Sequence, residues 1–327
     1  MTTSTPPLAD PLALIAADMT ALDGVIAQRL QSQVPLVGEV SQYIIGAGGK
    51  RLRPALLLLM AGALGLTGPH RLTLAAVVEF IHTATLLHDD VVDESTLRRG
   101  RAPANPAFGN PASVLVGDFL YSRAFQMMVD VGDMRVMQVL ADATNVIAEG
   151  EVLQLVQIRN TAMTEDDYLQ VIRSKTAKLF EASARLPALL VQASEDVESA
   201  CALFGQALGT AFQVVDDALD YSGDASTMGK NLGDDLREGK VTLPVICTLQ
   251  RVAPSERDLL ERAVREGDVS QLPRLLAMIR DSGGLHAAMG LAQAEAQVAQ
   301  DALRALPHNA YTQAMQALTH ELLQRAS

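Results

Sequence analysis

Apolar residues recur at helical spacing along most of this chain, whereas the strict alternation that is typical of strands is scarce. The apolar side chains are mainly Leu, Ala, Val and Met, and aromatic residues make up only 4% of the 327 residues. Straight-chain residues and Ala lose little conformational entropy in a helix. The pattern therefore predicts an all-α protein with helices at about 10–32, 35–46, 53–66, 71–92, 112–130, 134–159, 165–185, 196–222, 240–252, 256–266, 270–281, 284–305 and 309–325.

Two interruptions of the helical pattern are longer than ordinary turns. Residues 95–111 contain three arginines, three prolines and two glycines, and residues 221–239 are rich in Gly and Asp. Long loops inside a compact helical domain are often lids or ligand-binding loops. Because no linker or repeat divides the helices, we expect residues 1–9 to be a disordered tail and residues 10–327 to form a single domain.

The formal net charge of −12 argues against general nucleic-acid binding and makes local clusters of Lys and Arg more informative. The amino-terminal segment lacks the basic and apolar regions of a signal peptide. The longest apolar run, residues 54–66, is shorter than a membrane-spanning helix requires. We therefore expect a cytoplasmic protein without nucleic-acid partners.

The strongly apolar predicted helix 71–92 ends in a cluster of aspartates, Asp89, Asp90 and Asp93. Asp89 and Asp93 are four residues apart, so their carboxylates lie on one face of the helix, and His82 lies near the same face. Carboxylates at a helix C-terminus repel one another and oppose the helix dipole. A hard divalent cation would compensate for both effects.

The same spacing recurs in the predicted helix 196–222, where Asp216 and Asp220 are four residues apart and Asp217 lies between them. One such cluster alone could be a solvated helix end, but two clusters that each end an apolar helix favour a site. Mg²⁺ takes one or two carboxylates and completes its coordination with water and phosphate oxygens. A di-iron site would instead need Glu-x-x-His pairs, which neither cluster has. We therefore predict Mg²⁺ ligands among Asp89, Asp90, Asp93, Asp216, Asp217 and Asp220.

Basic residues accompany these clusters. Lys50 and Arg53 follow a pair of glycines at the start of an apolar helix, where cations oppose the helix dipole and a bound phosphate would reverse that effect. Arginine and lysine side chains near the aspartates would bind phosphate oxygens in the same way. These further cations are Arg98, Arg99, Lys175, Lys230 and Lys240. The arrangement suits two diphosphates that are bridged by metal ions.

Together these segments resemble the trans-type polyprenyl diphosphate synthases, and are most similar to the bacterial members that make octaprenyl diphosphate. The matching residues follow the family order over about residues 45–245, at 48–54, 86–93, 98–100, 117–118, 175–177, 212–213, 216–220 and 229–240. The resemblance implies an isoprenoid-synthase-type helical bundle around a deep central cavity, in a homodimer. It also implies a prenyltransferase that condenses isopentenyl diphosphate onto an allylic diphosphate, with farnesyl diphosphate as primer, for quinone side chains.

The resemblance further implies roles for individual residues. Asp89, Asp93 and Asp216, with Asp220 as a further candidate, would hold three Mg²⁺ ions on the allylic diphosphate. Lys175 and Lys230 would join Asp89, Asp93 and Asp216 as catalytic residues. The substrate-binding residues would be Arg98, Lys175 and Lys230 for the allylic diphosphate, Lys50, Arg53, His82 and Arg99 for isopentenyl diphosphate, and Thr176, Gln213 and Lys240 beside them.

The growing tail is expected to run along the helix that carries the first aspartate cluster. Thr85 and Ile81 lie one and two turns before Asp89, with Ala84 beside them, and one turn of about 5.4 Å is similar in length to an isoprene unit. Short-chain relatives carry bulky aromatic residues just below these aspartates. The small Ala84 and Thr85 therefore predict a long product, heptaprenyl to decaprenyl with octaprenyl favoured by the resemblance. The candidates for the tunnel floor are Phe125, Met127 and Met128, and release of such a product could involve transient contact with a membrane.

Four other interpretations remain open at this stage. A shorter-chain synthase would share every motif, and a terpene cyclase could share the fold and an aspartate-rich metal site. The cyclase would not need a second diphosphate pocket, so Lys50, Arg53 and Arg99 argue against it. A non-catalytic partner subunit typically lacks the aspartate clusters, and a plain structural helical protein leaves them unexplained.

Overall fold

A computed structural model of the protein describes residues 10–46, 48–94, 97, 101–222 and 232–325. Within these ranges the secondary structure is helical and contains no strand, which confirms the predicted all-α class. The α-helices are α1 (Ala16–Arg29), α2 (Pro35–Gly46), α3 (Leu52–Ala63), α4 (His70–Val92), α5 (Ala104–Phe108), α6 (Asn110–Val131), α7 (Met134–Gln157), α8 (Glu165–Ile172), α9 (Lys178–Leu190), α10 (Glu195–Ser222), α11 (Asp234–Glu238), α12 (Leu243–Leu249), α13 (Pro254–Glu266), α14 (Leu272–Asp281), α15 (Gly284–Ala302) and α16 (Ala310–Gln324).

Helices α4 and α10 form the centre of the bundle. Helix α4 packs against α6 and α3, and α10 packs against α15 and α9. The residues of α3 from Pro54 to Ala61 are all buried. A helix that is apolar on every side must be surrounded by others, which explains why α3 lies inside the bundle.

Two glycines of α10 allow an unusually close approach to α9 and to the turn before it. A Cβ added to Gly205 would lie 2.4 Å from the Phe180 carbonyl oxygen. A Cβ added to Gly209 would lie 2.7 Å from the Cα of Ala177. Since real side chains do not tolerate such contacts, both positions require glycine. This packing places the carboxyl-terminal half of α10, with its aspartates, against the turn that carries Lys175 and Thr176.

Helices α8 and α9 are joined by one π-helical turn, Arg173–Ala177. Helix α8 begins with a reciprocal capping box between Thr164 and Asp167, as its sequence favours. The sequence pattern predicted one helix at 165–185, whereas the helical segment contains a π turn and continues past Pro187 to Leu190. π turns inside α-helical segments are rare and are frequently found at functional sites.

Other helix boundaries differ from the predictions for local reasons. Both predicted long loops contain a short helix, α5 in the first and α11 in the second. The predicted helix 240–252 is shorter, since Thr242 is extended and Pro244 lies in the first turn of α12. The first predicted helix divides into a 3₁₀ turn, Ala13–Ile15, and α1.

Several predictions lie outside the described residues: the disordered tail at 1–9 and the cations Arg98, Arg99 and Lys230. Among the helices that the structure describes, none combines the length and apolar character needed to cross a membrane.

Candidate active site

A cavity of about 440 Å³ lies between α4, α7, α8 and α10. Its walls carry most of the predicted site residues, and both aspartate clusters reach it. The predicted residues that line the cavity are Arg53, His82, Thr85, Asp89, Asp93, Lys175, Thr176, Gln213, Asp216, Asp217 and Lys240. The fold therefore brings together side chains that are far apart in the sequence.

The first aspartate cluster forms ion pairs with two lysines that line the same cavity. The Lys240 Nζ atom lies 2.9 Å from the Asp93 Oδ2 atom, and the Lys175 Nζ atom lies 3.5 Å from the Asp89 Oδ2 atom. Burial alone would lower the pKa of Lys240, but Asp93 and Glu238 outweigh it, so that this pKa lies above its usual range. Asp89 and Asp93 are thus exposed to the cavity, and each has a lysine beside it.

The second aspartate cluster makes more contacts within the protein. The Asp217 carboxylate accepts a hydrogen bond of 2.6 Å from the Tyr168 hydroxyl and one of 2.7 Å from the Gln213 amide. Gln213 in turn accepts a bond of 2.9 Å from the Thr176 hydroxyl. Burial raises the pKa of Asp217, and the nearby charge of Asp235 acts in the same direction. This network connects α8, the π turn and α10 directly beneath Asp216.

Two predicted metal ligands, Asp90 and Asp220, are not among the residues that line the cavity. Both are fully buried. The Asp220 Oδ2 atom accepts a hydrogen bond of 3.2 Å from the backbone N–H of Asp235, at the start of α11. The backbone carbonyl of Asp90 accepts a bond of 3.1 Å from the Asn105 amide. Their positions favour a role in holding the surrounding loops, while their assignment as metal ligands stays a prediction.

Further polar residues that sequence reasoning missed also line the cavity, among them Tyr168, Glu151 and Gln154. The Lys175 ammonium lies 2.6 Å from a Glu151 carboxylate oxygen and donates a bond of 2.7 Å to Gln154. Burial raises the pKa of Glu151 to about 7, although the charge of Lys175 acts against this shift. For Glu151 and Gln154, the available signal was the appearance of polar residues within the apolar pattern of α7.

The basic residues predicted for the second diphosphate occupy two neighbouring places. The Arg53 guanidinium lies over the Phe180 ring at 4.6 Å and lines the cavity with His82. Lys50 lies in an adjacent groove of about 290 Å³ that shares Phe212 with the cavity. Burial lowers the pKa of Lys50, and so does the charge of Arg325.

The residues predicted to set chain length differ in their position. Thr85 lines the cavity, whereas Ala84 and Ile81 are fully buried and are not among its lining residues. The floor candidates Met127 and Met128 are buried in the core. Phe125 is 37% exposed, so that it faces outward more than a floor residue should.

The residues present fit divalent metal ions that are bound together with phosphate. Within the described ranges, no three His, Cys, Asp or Glu side chains lie close enough together to hold one ion by themselves. Asp89, Asp93 and Asp216 reach the cavity from two helices and offer oxygen ligands. Mg²⁺ binds in this way, with one or two carboxylates and with phosphate oxygens or water at its other positions.

Comparison with known proteins is consistent with this geometry. A model of the family "Polyprenyl synthetase" matches residues 34–279. The octaprenyl diphosphate synthase of Escherichia coli (strain K12) is 47% identical over 314 residues, which cover 95% of this chain and 97% of that protein. The all-trans-nonaprenyl-diphosphate synthase (geranyl-diphosphate specific) of Rhodobacter capsulatus is 46% identical over 317 residues, which cover 97% of each chain.

A solved structure is also similar over nearly the whole chain. It is a polyprenyl synthase from Caulobacter crescentus CB15, complexed with calcium and isoprenyl diphosphate. The TM-score is 0.94 at 42% sequence identity, and the match covers 99% of this chain and 100% of the other. That protein binds a divalent cation and a prenyl diphosphate on the same all-helical fold.

Proposed function

This chain belongs to the polyprenyl synthetase family, and on that basis we propose that it is a long-chain trans-polyprenyl diphosphate synthase. It would add isopentenyl diphosphate units to an allylic primer such as farnesyl diphosphate. The observation that carries the proposal is the cavity lined by Asp89 of α4, Asp93 at the end of α4 and Asp216 of α10, with lysines beside them.

The difficult step is cleavage of the allylic C–O bond, because negative charge builds up on the departing diphosphate. Mg²⁺, when bound, would neutralise that charge, and we propose three ions held by Asp89, Asp93 and Asp216. Lys175 lines the cavity 3.5 Å from Asp89, where its ammonium would donate to a diphosphate oxygen. A preorganised cation of this kind stabilises the transition state more than one that must reorient.

Isopentenyl diphosphate would bind on the side of the cavity where α3 begins. Arg53 and His82 line this side, and Lys50 lies next to it. Phe180 supports the Arg53 guanidinium by a cation–π contact, which limits its freedom. The double bond of the bound isopentenyl group then attacks the allylic carbon, and loss of a proton restores an allylic diphosphate that is five carbons longer. The apolar side chains Val171 and Ile172 in the cavity wall help to exclude water.

We propose octaprenyl diphosphate as the main product, on two grounds. Thr85 is small where it lines the cavity one turn before Asp89, which leaves room for a tail. The 47% sequence identity to an octaprenyl diphosphate synthase supports a product of eight isoprene units, although the identity to a nonaprenyl diphosphate synthase is nearly the same, at 46%. A product of about forty carbons is insoluble in water, so we propose that its release involves transient contact with a membrane.

We further propose that residues 10–327 form a single domain and that the enzyme is a homodimer. Large apolar side chains on the neighbouring helices α6 and α7 are between 62% and 76% exposed: Leu115, Val129, Met134, Val152 and Val156. Exposed apolar surfaces of this kind mark interfaces between protein chains. A second copy of the chain would cover this surface by two-fold symmetry.

Product length by mass spectrometry tests the proposed function. The purified chain is given farnesyl diphosphate, excess isopentenyl diphosphate and Mg²⁺, and a chelator is added in the control. We expect a dominant forty-carbon diphosphate with Mg²⁺ and no elongation with the chelator. A fifteen- or twenty-carbon limit would keep the enzyme class and remove the long-chain assignment. If the folded protein does not elongate the primer at all, a cyclase or a partner subunit becomes the better interpretation.

A further inference from the structure

Lys175 is held by two polar side chains of α7. Its ammonium lies 2.6 Å from a Glu151 carboxylate oxygen and donates a hydrogen bond of 2.7 Å to the Gln154 side chain. Both partners belong to α7, one turn apart. The Asp89 carboxylate is farther away, at 3.5 Å. An ammonium has three protons, so two are occupied by α7 and one remains for the cavity.

The backbone brings these groups together at a single close contact. Gly150, next to Glu151, faces the π turn, and a Cβ added there would lie 2.7 Å from the Ser174 Cβ atom and 2.8 Å from the Lys175 backbone nitrogen. Any larger residue would push α7 away from the turn. This contact holds α7 against the π turn. Glu151 on α7 therefore stays close to Lys175 in the turn.

Lysine needs such support more than arginine does. Its four-carbon stem is flexible and its ammonium has no fixed fork of donors, so more freedom is lost for each hydrogen bond that it forms. Two acceptors on a rigid helix restrict the ammonium before substrate arrives, so that its remaining proton requires no reorganisation when charge develops on the diphosphate.

We propose that Glu151, with Gln154, is a positioning residue that aims the Lys175 ammonium at the allylic diphosphate. The inference rests on the proposed function, and it adds a residue that contributes to the reaction only through Lys175. It also explains why an acidic side chain lies in a cavity that must receive two polyanions. The carboxylate lies 2.6 Å from the Lys175 ammonium, so that this cation offsets its negative charge.

The test compares two variants that change charge equally but differ in hydrogen bonding. Glu151→Gln and Glu151→Ala both remove the negative charge, while only Gln keeps an oxygen that can accept a bond from Lys175. We expect kcat for elongation of farnesyl diphosphate to be about 10-fold higher in Glu151→Gln than in Glu151→Ala. In a Lys175→Ala background the same ratio should be about 1, because the residue that responds to the difference has been removed.

Three controls keep the result interpretable. Glu149→Gln makes the same charge change at an exposed position of the same helix and should leave kcat within about 2-fold. Glu151→Met, which lacks the acceptor but keeps the volume, replaces Glu151→Ala if circular dichroism shows that the alanine variant is unfolded. Where turnover in the Lys175→Ala background is too slow, calorimetric binding of farnesyl diphosphate with Mg²⁺ gives the ratio of Kd values instead.

Each outcome bears on a separate claim. If the Glu151→Gln to Glu151→Ala ratio is near 1 in protein that keeps Lys175, or is equal with and without Lys175, the positioning role is overturned while the unchanged protein still elongates its primer. If the unchanged protein does not elongate, the proposed function itself fails, whatever the variants do.

Discussion

The two aspartate clusters share a sequence pattern but differ in how the protein uses them. In the first cluster, Asp89 and Asp93 line the cavity and face lysines that approach from other elements. In the second, Asp217 accepts bonds from Tyr168 and Gln213, and Asp220 is buried against the start of α11. The first cluster is thus mainly exposed to a ligand, whereas the second also holds three parts of the fold together.

The residues one turn before each cluster extend this comparison. Four residues before Asp89 the chain has Thr85, and four residues before Asp216 it has Phe212; both line the cavity. A small side chain leaves space below the first cluster, while an aromatic ring fills the corresponding space below the second. The difference indicates that a long apolar tail would follow α4 and not α10.

The largest expected effect is loss of turnover when the proposed metal ligands that line the cavity are removed. Asp89→Ala or Asp216→Ala should lower kcat by about 1,000-fold or more, because the metal ions that neutralise the leaving group would lose a ligand. The unfolding temperature should change little, since these carboxylates face a cavity. Steady-state elongation assays and thermal unfolding check this, and activity within a few-fold of the unchanged protein would remove the metal-site assignment.

The next effect concerns the contrast between Thr85 and Phe212. Thr85→Phe should shorten the main product from about forty carbons to about twenty or fewer, because the ring would fill the space one turn below Asp89. Ala84→Phe should act in the same direction. Phe212→Ala should slow the reaction without lengthening the product. Mass spectrometry measures the length of the main product in each variant. An unchanged length in Thr85→Phe would mean that the tail takes another path.

A third prediction tests whether two aspartates of the second cluster have different roles, Asp216 as a metal ligand and Asp220 as a residue that holds the start of α11. Asp220→Ala should reduce the free energy of unfolding by about 1–3 kcal/mol, because the partly buried N–H of Asp235 loses its acceptor. Asp216→Ala, four residues earlier, should change it by less than about 0.5 kcal/mol. Denaturant unfolding of both variants measures the difference. Equal destabilisation would contradict the distinction drawn between the two positions.

The smallest expected effect is that of the Tyr168 hydroxyl. Tyr168→Phe removes one donor to Asp217 and should lower kcat by about 3- to 10-fold, with a stability loss of about 1 kcal/mol. Tyr311→Phe, on α16 and outside the cavity, serves as the matched control and should leave kcat unchanged. No change in Tyr168→Phe would show that the hydrogen bond to Asp217 does not matter for the position of Asp216.

Much of the fold could be predicted from the sequence, because apolar spacing and helix caps are local properties. The positions of α4 and α10 followed from their apolar faces, and the two aspartate pairs followed from a spacing of four residues. The π turn and the short helices α5 and α11 could not be found in this way. They depend on how neighbouring helices pack, for example at Gly150, which no local pattern reveals.

The candidate site could be predicted where its residues belong to recognisable sequence motifs. It could not be predicted where it depends on contacts between distant segments. Asp89, Asp93 and Lys175 were predicted and line one cavity. Glu151 and Tyr168 were missed, because each is a single polar residue whose partner lies on another element. The sequence alone also did not separate Asp216 from Asp217, since packing decides which neighbour faces inward.

The π turn at Arg173–Ala177 limits where the polypeptide can gain or lose residues during evolution. On its amino-terminal side, Tyr168 and Ile172 line the cavity, and on its carboxyl-terminal side Phe180 packs on Gly205 and Gly209 of α10. Deleting one residue would turn one of these faces by about 100° relative to the other, so that only one interface could survive. We therefore expect natural relatives to gain or lose residues in the connections between helices and to keep the number of residues in this turn.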